Sequence, residues 1–340
     1  MNARRIGAVA AAAVLLGAAG CTSSRGVEPA VCPATPRSDS PGRLVDVPAG
    51  RFLMGDDVYA DEGPPRFETV AAFQIDATEV TNAQFARFVK ETGYVTVAER
   101  PVDPSLYPGM PAGALQPGSA VFSFDSARFD PGDASTWWIF VPGASWRHPE
   151  GPGSDLKGRD FLPVVNIALA DAEAYARWAG RRLPTEIEWE WAARSADPAA
   201  DESSRQPSEA NTWQGVFPAR NTVDDGYSGA APVACFKPNG LGVHDLIGNV
   251  WEWTADPYRQ TRPAAFAPGD TGQDPRQPGV AVGVIKGGSY LCAPNYCMRY
   301  RPGARQAQDL TLGASHVGFR TVALTGAAGP VNVEGSVSPN

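Results

Sequence analysis

The sequence predicts one compact α+β domain with little regular secondary structure, and three observations support this prediction. The 36 glycines and 32 prolines make up a fifth of the 340 residues. In an average chain these two residue types contribute roughly 12%. Charged residues make up 19% of the chain and hydrophobic residues 43%, with nine tryptophans. No linker-like segment interrupts residues 43–324. This composition is untypical of helical bundles, coiled coils and solenoids, whereas the apolar content allows a substantial core.

The net charge argues against nucleic acid as a partner. Lysine and arginine number 29 and aspartate and glutamate 37, which gives a net charge of −8 at pH 7. No cluster of basic residues stands out along the chain. Proteins that bind nucleic acid neutralise its phosphates with such clusters.

The N-terminus indicates export. Two arginines precede an apolar run over residues 6–19, which is shorter than the roughly 20 residues that span a bilayer and is typical of a secretory signal. The run ends in A-A-G-C, which resembles a bacterial lipobox with Cys21 as the lipidated residue. Ordinary cleavage beside an incidental cysteine and an uncleaved anchor are the alternatives. We expect a signal peptide over 1–20, a lipidated, flexible tether over 21–42, and an exported protein held at the outer face of a bacterial membrane by its lipid alone.

The folded domain is predicted to begin near residue 43 with two strands and a helix. Residues 43–54 and 68–75 alternate or run apolar between turn residues, as strands do. Thr81 and Gln84 have the spacing of a capping box, in which the first and fourth residues exchange hydrogen bonds. This predicts a helix to about Glu91.

The middle of the domain combines an irregular segment with two more helices. Residues 101–135 are crowded with proline and glycine and predict a long irregular excursion. A second helix is expected over 171–179, where Gly180 ends it. A third begins after a second capping box at Thr185 and is expected to end near Arg194.

The last third is expected to consist of loops with short strands. Residues 284–290 and 316–324 are the best strand candidates, because they are rich in β-branched and aromatic residues. Residues 325–340 are expected to form a loose tail.

Five cysteines bear on the chemistry of the domain. With Cys21 assigned to the lipid, Cys32 lies in the tether, Cys235 is isolated, and Cys292 and Cys297 form a close pair. In an exported protein two cysteines are most often a disulfide, although two thiolates are also soft ligands suited to Cu(I) or zinc. Zinc takes three or four protein ligands, and three scattered histidines support it poorly. Whether Cys32 and Cys235 pair stays open.

Seven segments of the domain follow one another in a characteristic order. They are FLMGDD (52–57), DATEVTNAQF (76–85), WRHPEGP (146–152), GRRLPTEIEWEWAAR (180–194), NGLGVHDLIGNVWEWT (239–254), KGGSYLCAPNYCMRYRPGAR (286–305) and GFR (318–320). In these segments the chain resembles the formylglycine-generating enzymes, or sulfatase-modifying factors. The resemblance covers essentially 43–324 and implies their C-type-lectin-like fold. G-N-V-W-E-W and G-G-S-Y are typical of the wider superfamily, whereas C-x4-C followed by R-Y-R is typical of the oxidase.

The resemblance implies a copper-dependent oxidase that activates sulfatases. Such an enzyme converts a cysteine of an unfolded sulfatase, in a C-x-P-x-R context, to Cα-formylglycine with O2 and a thiol reductant. Cys292 and Cys297 would hold Cu(I), and the low coordination number leaves room for the substrate sulfur. Pro294 argues against a helix at the pair, so a loop could bring the sulfurs together. Arg299 and Arg301 could favour the thiolate forms if they face the sulfurs.

Four further residues match site positions of the family. Ser289 matches a catalytic serine, although a serine that merely satisfies backbone groups at a strand end is the alternative. Tyr296, Trp251 and Trp146 resemble aromatic residues that line the peptide groove, although large aromatic residues are as often part of a core.

Two calcium sites follow from the same resemblance. Calcium takes six to eight oxygen ligands from carboxylates, amides and backbone carbonyls. The first site would use Asn211, Asp225 and the carbonyls of Thr212 and Tyr227, and the second would use Asp245, Glu252 and the carbonyls of Gly248 and Val250. Glu79 also matches a calcium-ligand position of the family. Ordinary loop acids are the alternative.

Two rival functions and two departures from the family qualify this assignment. A non-catalytic lipoprotein that binds a partner with the same scaffold would be expected to lack the cysteine pair. An iron-dependent sulfoxide synthase would need a histidine cluster. Ala293 stands where the family often has histidine, and His316 where a member has asparagine, and both bear on substrate detail and rate. The client sulfatase, the physiological reductant and the oligomeric state are not specified by the sequence.

Overall fold

The computed structural model describes residue 32 and residues 42–106, 109, 111, 115–130, 133–197, 207 and 209–324. The predicted signal peptide, the lipidation of Cys21, most of the tether and the C-terminal tail lie outside the described residues. Within the described residues, no helix is both long and apolar enough to span a membrane.

Fourteen short strands and three helices make up the regular structure of this part of the chain. The strands are β1 (Leu44–Val47), β2 (Gly50–Met54), β3 (Arg66–Val70), β4 (Phe73–Asp76), β5 (Gly118–Phe122), β6 (Trp138–Pro142), β7 (Arg181–Arg182), β8 (Gly215–Val216), β9 (Arg220–Asn221), β10 (Trp251–Pro257), β11 (Val282–Lys286), β12 (Arg305–Asp309), β13 (Val317–Gly318) and β14 (Val322–Ala323). The helices are α1 (Asn82–Thr92), α2 (Leu169–Trp178) and α3 (Glu186–Ala193), with 3-10 turns at Val97–Glu99, Pro104–Leu106 and Ala134–Thr136. The α+β class with little regular structure is therefore confirmed.

Capping contacts confirm the predicted ends of α1 and the predicted start of α3, whereas α2 begins two residues before the predicted residue 171. Thr81 Oγ1 accepts a hydrogen bond from the Gln84 N–H, and Gln84 Oε1 accepts one from the Thr81 N–H at 2.8 Å. Gly93 ends α1 in a left-handed conformation with φ 69°, which glycine adopts without a steric cost. Thr185 and Glu188 repeat the capping box at the start of α3.

Two four-stranded sheets carry most of the strands. One has the order β1-β4-β14-β7 and the other the order β12-β11-β10-β13, in which only β10 and β13 are parallel. Hairpins β2-β3, β5-β6 and β8-β9 complete the set. One core cluster contains Phe85, Trp251, Trp253 and Phe319 and packs α1 and α2 against the second sheet.

Several predicted strands are broken where the chain moves between sheets. Residues 43–54 form β1 and β2 with Pro48 between them, because proline cannot donate to a ladder. Residues 68–75 divide between β3, which pairs with β2, and β4, which pairs with β1. Residues 316–324 likewise divide between β13 and β14, which belong to different sheets.

The prediction of an irregular excursion over 101–135 is wrong for β5. This strand pairs with β6 in register from Gly118 opposite Pro142 to Phe122 opposite Trp138. Ser119 and Val121 are buried in it, so the strand has the expected alternation, but flanking prolines and glycines hid the pattern in the sequence.

Candidate functional site

Two consecutive glycines end β11 and place the cysteine loop. Gly287 and Gly288 have φ values of 97° and 75°, a region that residues with a side chain rarely adopt. A Cβ on Gly288 would lie 3.0 Å from the Arg299 carbonyl oxygen and 3.3 Å from Cys292 Sγ. The glycines therefore let the chain turn sharply from the sheet and pass close to the first cysteine.

The close cysteine pair converges, as the loop hypothesis expects. Cys292 and Cys297 are joined by a disulfide, with their Cα atoms 4.9 Å apart. The backbones of Ala293 and Tyr296 exchange hydrogen bonds of 2.7 and 3.0 Å between them. This tight turn, not a helix, brings the sulfurs together.

The cysteine pair lies in the wall of a cavity of about 200 Å³. The residues that line it are Ala120, Trp138, Trp251, Ser289, Leu291, Cys292, Tyr296, Cys297, Gln306, Gln308, Leu312, Ala314 and His316. They come from strands β5, β6, β10 and β12, from the cysteine loop after β11, and from the loop before β13. The lining combines apolar and aromatic surface with a few polar groups, as small ligand sites do.

Ser289 and His316 face each other in this cavity. Ser289 is fully buried; its Oγ accepts a hydrogen bond from the Leu291 N–H at 3.3 Å and lies 3.5 Å from His316 Nδ1. The imidazole packs edge-on against Trp138, with ring centroids 4.5 Å apart. Burial lowers the pKa of His316 to about 3, so the imidazole is neutral at ordinary pH.

The three predicted groove aromatics do not share one location. Tyr296 and Trp251 line the cavity, Tyr296 half-buried and Trp251 with only 1% of its surface exposed. Trp146 is also 1% exposed, but its ring packs against Phe85 in the core and its Nε1 donates to Glu99. The structure therefore places Trp146 in the core and not in the cavity wall.

The two arginines that follow the cysteine pair bind carboxylates. Arg299 donates to Asp61 at 3.0 Å, and Arg301 donates to Glu62 at 2.8 Å. The expectation that these cations favour the thiolates is wrong in this structure, because buried carboxylates bind their guanidinium groups.

Arg305, which ends the same segment, is bound by another buried carboxylate. Its guanidinium binds Glu186 at 2.8 Å and is fully buried. Although burial raises the pKa of Glu186, the cations Arg305, Arg262 and Lys286 hold it well below its usual range. The network fastens the segment that follows the cavity cysteines to α3.

Three of the four residues of the first predicted calcium site, Thr212, Asp225 and Tyr227, are joined by hydrogen bonds. Asp225 Oδ2 accepts from Gln214 Nε2 at 2.8 Å and from the Thr212 N–H at 3.3 Å, and Oδ1 accepts from the Tyr227 N–H. Asn211 is buried, and its Oδ1 has no hydrogen-bond partner. Burial raises the pKa of Asp225. A buried amide oxygen without a partner and a half-buried carboxylate are both ligand types that a hard cation accepts.

The second predicted calcium site fits a cation only in part. Burial, with the nearby charges of Asp245 and Glu252, raises the pKa of Glu79 well above its usual value. Glu79 Oε2 is buried without a partner. Both oxygens of Glu252, however, accept from Arg320 at 2.6 Å. Among the described residues, no three or more His, Cys, Asp and Glu side chains are grouped to hold a metal ion.

The backbone of the second site approaches the first. A Cβ on Gly248 would lie 2.3 Å from the Asn211 carbonyl oxygen, so this position is restricted to glycine. Val250 is fully buried two residues further on. Asn249 joins the two sites directly, because its side chain accepts from Asn211 and donates to Glu79 at 2.9 Å.

Several cavity and site residues could not be assigned from the sequence. Trp138, Gln306 and Gln308 belong to segments without a recognisable motif and reach the cavity through strand pairing. Arg320 belongs to G-F-R and Gln214 follows Thr212 closely, but nothing in the sequence indicated their partners. For His316, the signal in the sequence was that histidine stands where a family member has asparagine, just before G-F-R.

Comparisons with known proteins show what the whole domain is similar to. The family model of the sulfatase-modifying factor enzyme 1-like domain matches residues 29–324. A formylglycine-generating enzyme of Mycobacterium tuberculosis is 50% identical over 294 residues, which cover 82% of this chain and 97% of that protein. An inactive C-alpha-formylglycine-generating enzyme 2 of Mus musculus is 37% identical over 292 residues, which cover 83% and 86%. The solved structure of PvdO from Pseudomonas aeruginosa matches with a TM-score of 0.54 and 25% identity, over 83% of this chain and 94% of that one.

Proposed function

The chain belongs to the sulfatase-modifying factor family, and from that premise we propose that it converts a cysteine of sulfatase polypeptides to Cα-formylglycine and thereby activates them. One observation carries the proposal: the two cysteines of the C-x4-C motif lie side by side in the wall of an open cavity. A disulfide with a purely structural role needs no such cavity.

We infer that reduced Cys292 and Cys297 hold Cu(I). Two adjacent thiolates are a soft donor pair, and Cu(I) prefers soft ligands at low coordination number. Bound there, copper would supply the one-electron chemistry with O2 that removal of hydrogen from the substrate Cβ requires. The disulfide is the oxidised form of this donor pair, and a thiol reductant would return it to two thiolates.

The residues around the pair have roles in binding and orientation. Trp251 and Tyr296 offer apolar surface beside the sulfurs for the substrate peptide. Ser289 presents a hydroxyl in the buried part of the cavity, where it can donate to an oxygen species or to the substrate. His316 stays neutral and offers one hydrogen-bond donor or acceptor without adding a charge.

Calcium is proposed at the two loops that Asn249 joins. The orphaned Asn211 Oδ1 and Glu79 Oε2 support it, because buried polar atoms of native proteins are normally paired. Ions there would stabilise a loop-built region by tying separate segments together. The engagement of Glu252 by Arg320 makes the first site the stronger of the two.

We also propose that the protein acts outside the cytoplasm. The signal-like N-terminus and the lipobox-like Cys21 support export and lipid anchoring. The partners would be unfolded sulfatases with a C-x-P-x-R motif, together with O2 and a thiol reductant. Fractionation that leaves the mature protein in the cytoplasm would contradict this part.

The decisive experiment is turnover of a synthetic peptide. The purified protein is incubated with a C-x-P-x-R peptide, copper, O2 and a thiol reductant, and aldehyde formation is followed by mass spectrometry. A matched peptide with serine in place of the cysteine is the control and is expected to stay unchanged. Absence of aldehyde from the cysteine peptide with copper-loaded protein would refute the oxidase function.

A non-catalytic binding module is the second candidate, because one relative carries the name of an inactive protein. It would bind unfolded sulfatase without altering it. The intact pair Cys292 and Cys297 favours the oxidase. Binding of the peptide without any turnover would favour the module.

A further inference from the structure

The turn between the cavity cysteines contains a conformation that needs support. Cys297 has a φ of 56°, in the left-handed region where a residue with a Cβ is strained. Such a conformation persists only when surrounding contacts impose it. The turn should therefore be fastened to another part of the molecule.

Asn295, at the tip of the turn, makes such a contact. Its Oδ1 accepts a hydrogen bond from the Phe217 N–H at 3.1 Å, and its Nδ2 donates to the Phe217 carbonyl at 2.9 Å. One side chain thus satisfies both backbone groups of a residue 78 positions away. This pairing is the same donor–acceptor pattern that a neighbouring strand would offer.

Two further contacts join the same two segments. The Tyr296 ring stacks on the Phe217 ring, with centroids 4.2 Å apart and an interplanar angle of 9°. The Trp213 N–H donates to the Cys292 carbonyl at 3.0 Å. The turn is therefore held at its beginning, at its tip and beside Cys297 by residues 213–217.

We propose that Asn295 is a positioning residue, which acts through Phe217 to keep the sulfurs of Cys292 and Cys297 side by side after the disulfide is reduced. Two thiols on a loop that is free to move drift apart, whereas a loop held at its tip keeps their effective concentration high. The same restraint would present both thiolates to one metal ion. The proposal rests on the proposed function for its purpose, but its geometry does not depend on copper.

The thiol–disulfide equilibrium of the full-length protein tests the proposal. Dithiothreitol gives two electrons and two protons to the disulfide, so that Cys292 and Cys297 become thiols while dithiothreitol closes to its cyclic disulfide. Differential alkylation and mass spectrometry report the reduced fraction at each ratio of reduced to oxidised dithiothreitol. Asn295→Ala should shift the equilibrium towards the reduced pair by about threefold to tenfold, as expected for lost hydrogen bonds.

The molecule contains an internal reference and a matched control. The second disulfide, Cys32–Cys235, lies elsewhere, and its equilibrium should not change in Asn295→Ala. Asn221→Ala removes an asparagine from the same hairpin as Phe217, but one whose Oδ1 accepts from the Val223 N–H within its own loop. It should leave the equilibrium of the cavity pair unchanged.

A conservative variant covers the case in which Asn295→Ala does not fold. Asn295→Asp keeps an acceptor for the Phe217 N–H but sets a carboxylate oxygen against its carbonyl, so a shift in the same direction is expected. An unchanged equilibrium in a folded Asn295 variant, or an equal shift in Asn221→Ala, would overturn the proposal.

Copper affinity separates this proposal from the proposed function. Competition with a chromophoric Cu(I) chelator should show weaker binding by reduced Asn295→Ala than by the reduced wild-type protein. If the wild-type protein binds no Cu(I) but the dithiothreitol equilibrium shifts as expected, the positioning role stands and the oxidase assignment fails.

Discussion

The two cysteine pairs of this chain form the same bond in opposite settings. Cys292 and Cys297 are five residues apart and line a cavity, within a turn that other segments hold in place. Cys32 and Cys235 are 203 residues apart and join the N-terminal tether to a surface loop, with Cys32 Sγ 3.3 Å from the Tyr227 hydroxyl. A disulfide stabilises chiefly by restricting the unfolded chain, and more so across a long loop. The first pair is therefore suited to chemistry and the second to stability.

Replacing a cysteine of the cavity pair gives the largest expected effect on turnover. Cys292→Ser or Cys297→Ser removes one of two soft ligands and should lower peptide turnover at least about a thousandfold, as loss of an essential catalytic group does. The melting temperature should change little in comparison with this loss of turnover. Kinetics with the C-x-P-x-R peptide and thermal unfolding measure the two effects. Retained turnover in either variant would contradict the assignment.

Replacing a cysteine of the tether pair should show the reverse pattern. Cys235→Ser opens the long loop and should lower the free energy of unfolding by about 2–4 kcal/mol. Turnover below the melting temperature should stay close to that of the wild-type protein, because Cys235 lies outside the cavity lining. Denaturant unfolding and peptide kinetics at one temperature test both parts. A large loss of turnover in a folded Cys235→Ser protein would end the contrast between the pairs.

The buried acid Glu79 sharpens the comparison, because it belongs to neither cysteine pair and should respond to calcium. Its raised pKa means that the folded state disfavours the ionised form. The calcium-free protein should therefore lose stability as pH rises through that pKa. Glu79→Gln removes the ionisable group and should stabilise the calcium-free protein at pH values above that pKa.

Calcium should reverse the sign of the Glu79→Gln effect. Chelation should lower the melting temperature of the wild-type protein and change that of Glu79→Gln much less, since the variant has lost a ligand. Melting curves with and without a chelator, at two pH values, measure this. Identical responses of the two proteins to chelation would count against calcium at this loop.

Among substitutions in the cavity lining, those of His316 should lower turnover less than those of the two cysteines. His316→Asn keeps a polar group beside Ser289 and should change turnover only severalfold, whereas His316→Leu should lower it about tenfold to a hundredfold by removing a buried hydrogen-bond partner. Because burial lowers the pKa of His316 to about 3, its ionisation should leave no inflection in the pH profile of turnover at neutral pH. Equal activity of the leucine variant and the wild-type protein would exclude a positioning role for the imidazole.

Local patterns predicted the helices well and the strands less well. The capping boxes at Thr81 and Thr185 and the glycine after α1 act within a few residues, so they can be recognised in the sequence. Strand ends depend on which sheet each residue joins, which is why 316–324 divides between two sheets. The β5 strand escaped prediction because prolines and glycines flank it and its partner β6 begins 16 residues after its end.

The sequence by itself determined the α+β class, the three helices and the motif with two closely spaced cysteines. These features depend on composition and on neighbours in the chain. Only the tertiary structure decided that Trp146 lies in the core, that Arg299 and Arg301 bind carboxylates, and that Asn295 reaches Phe217. The physical reason is that such contacts join segments far apart in the chain, and burial, charge pairing and hydrogen bonding select them only when the whole domain has folded.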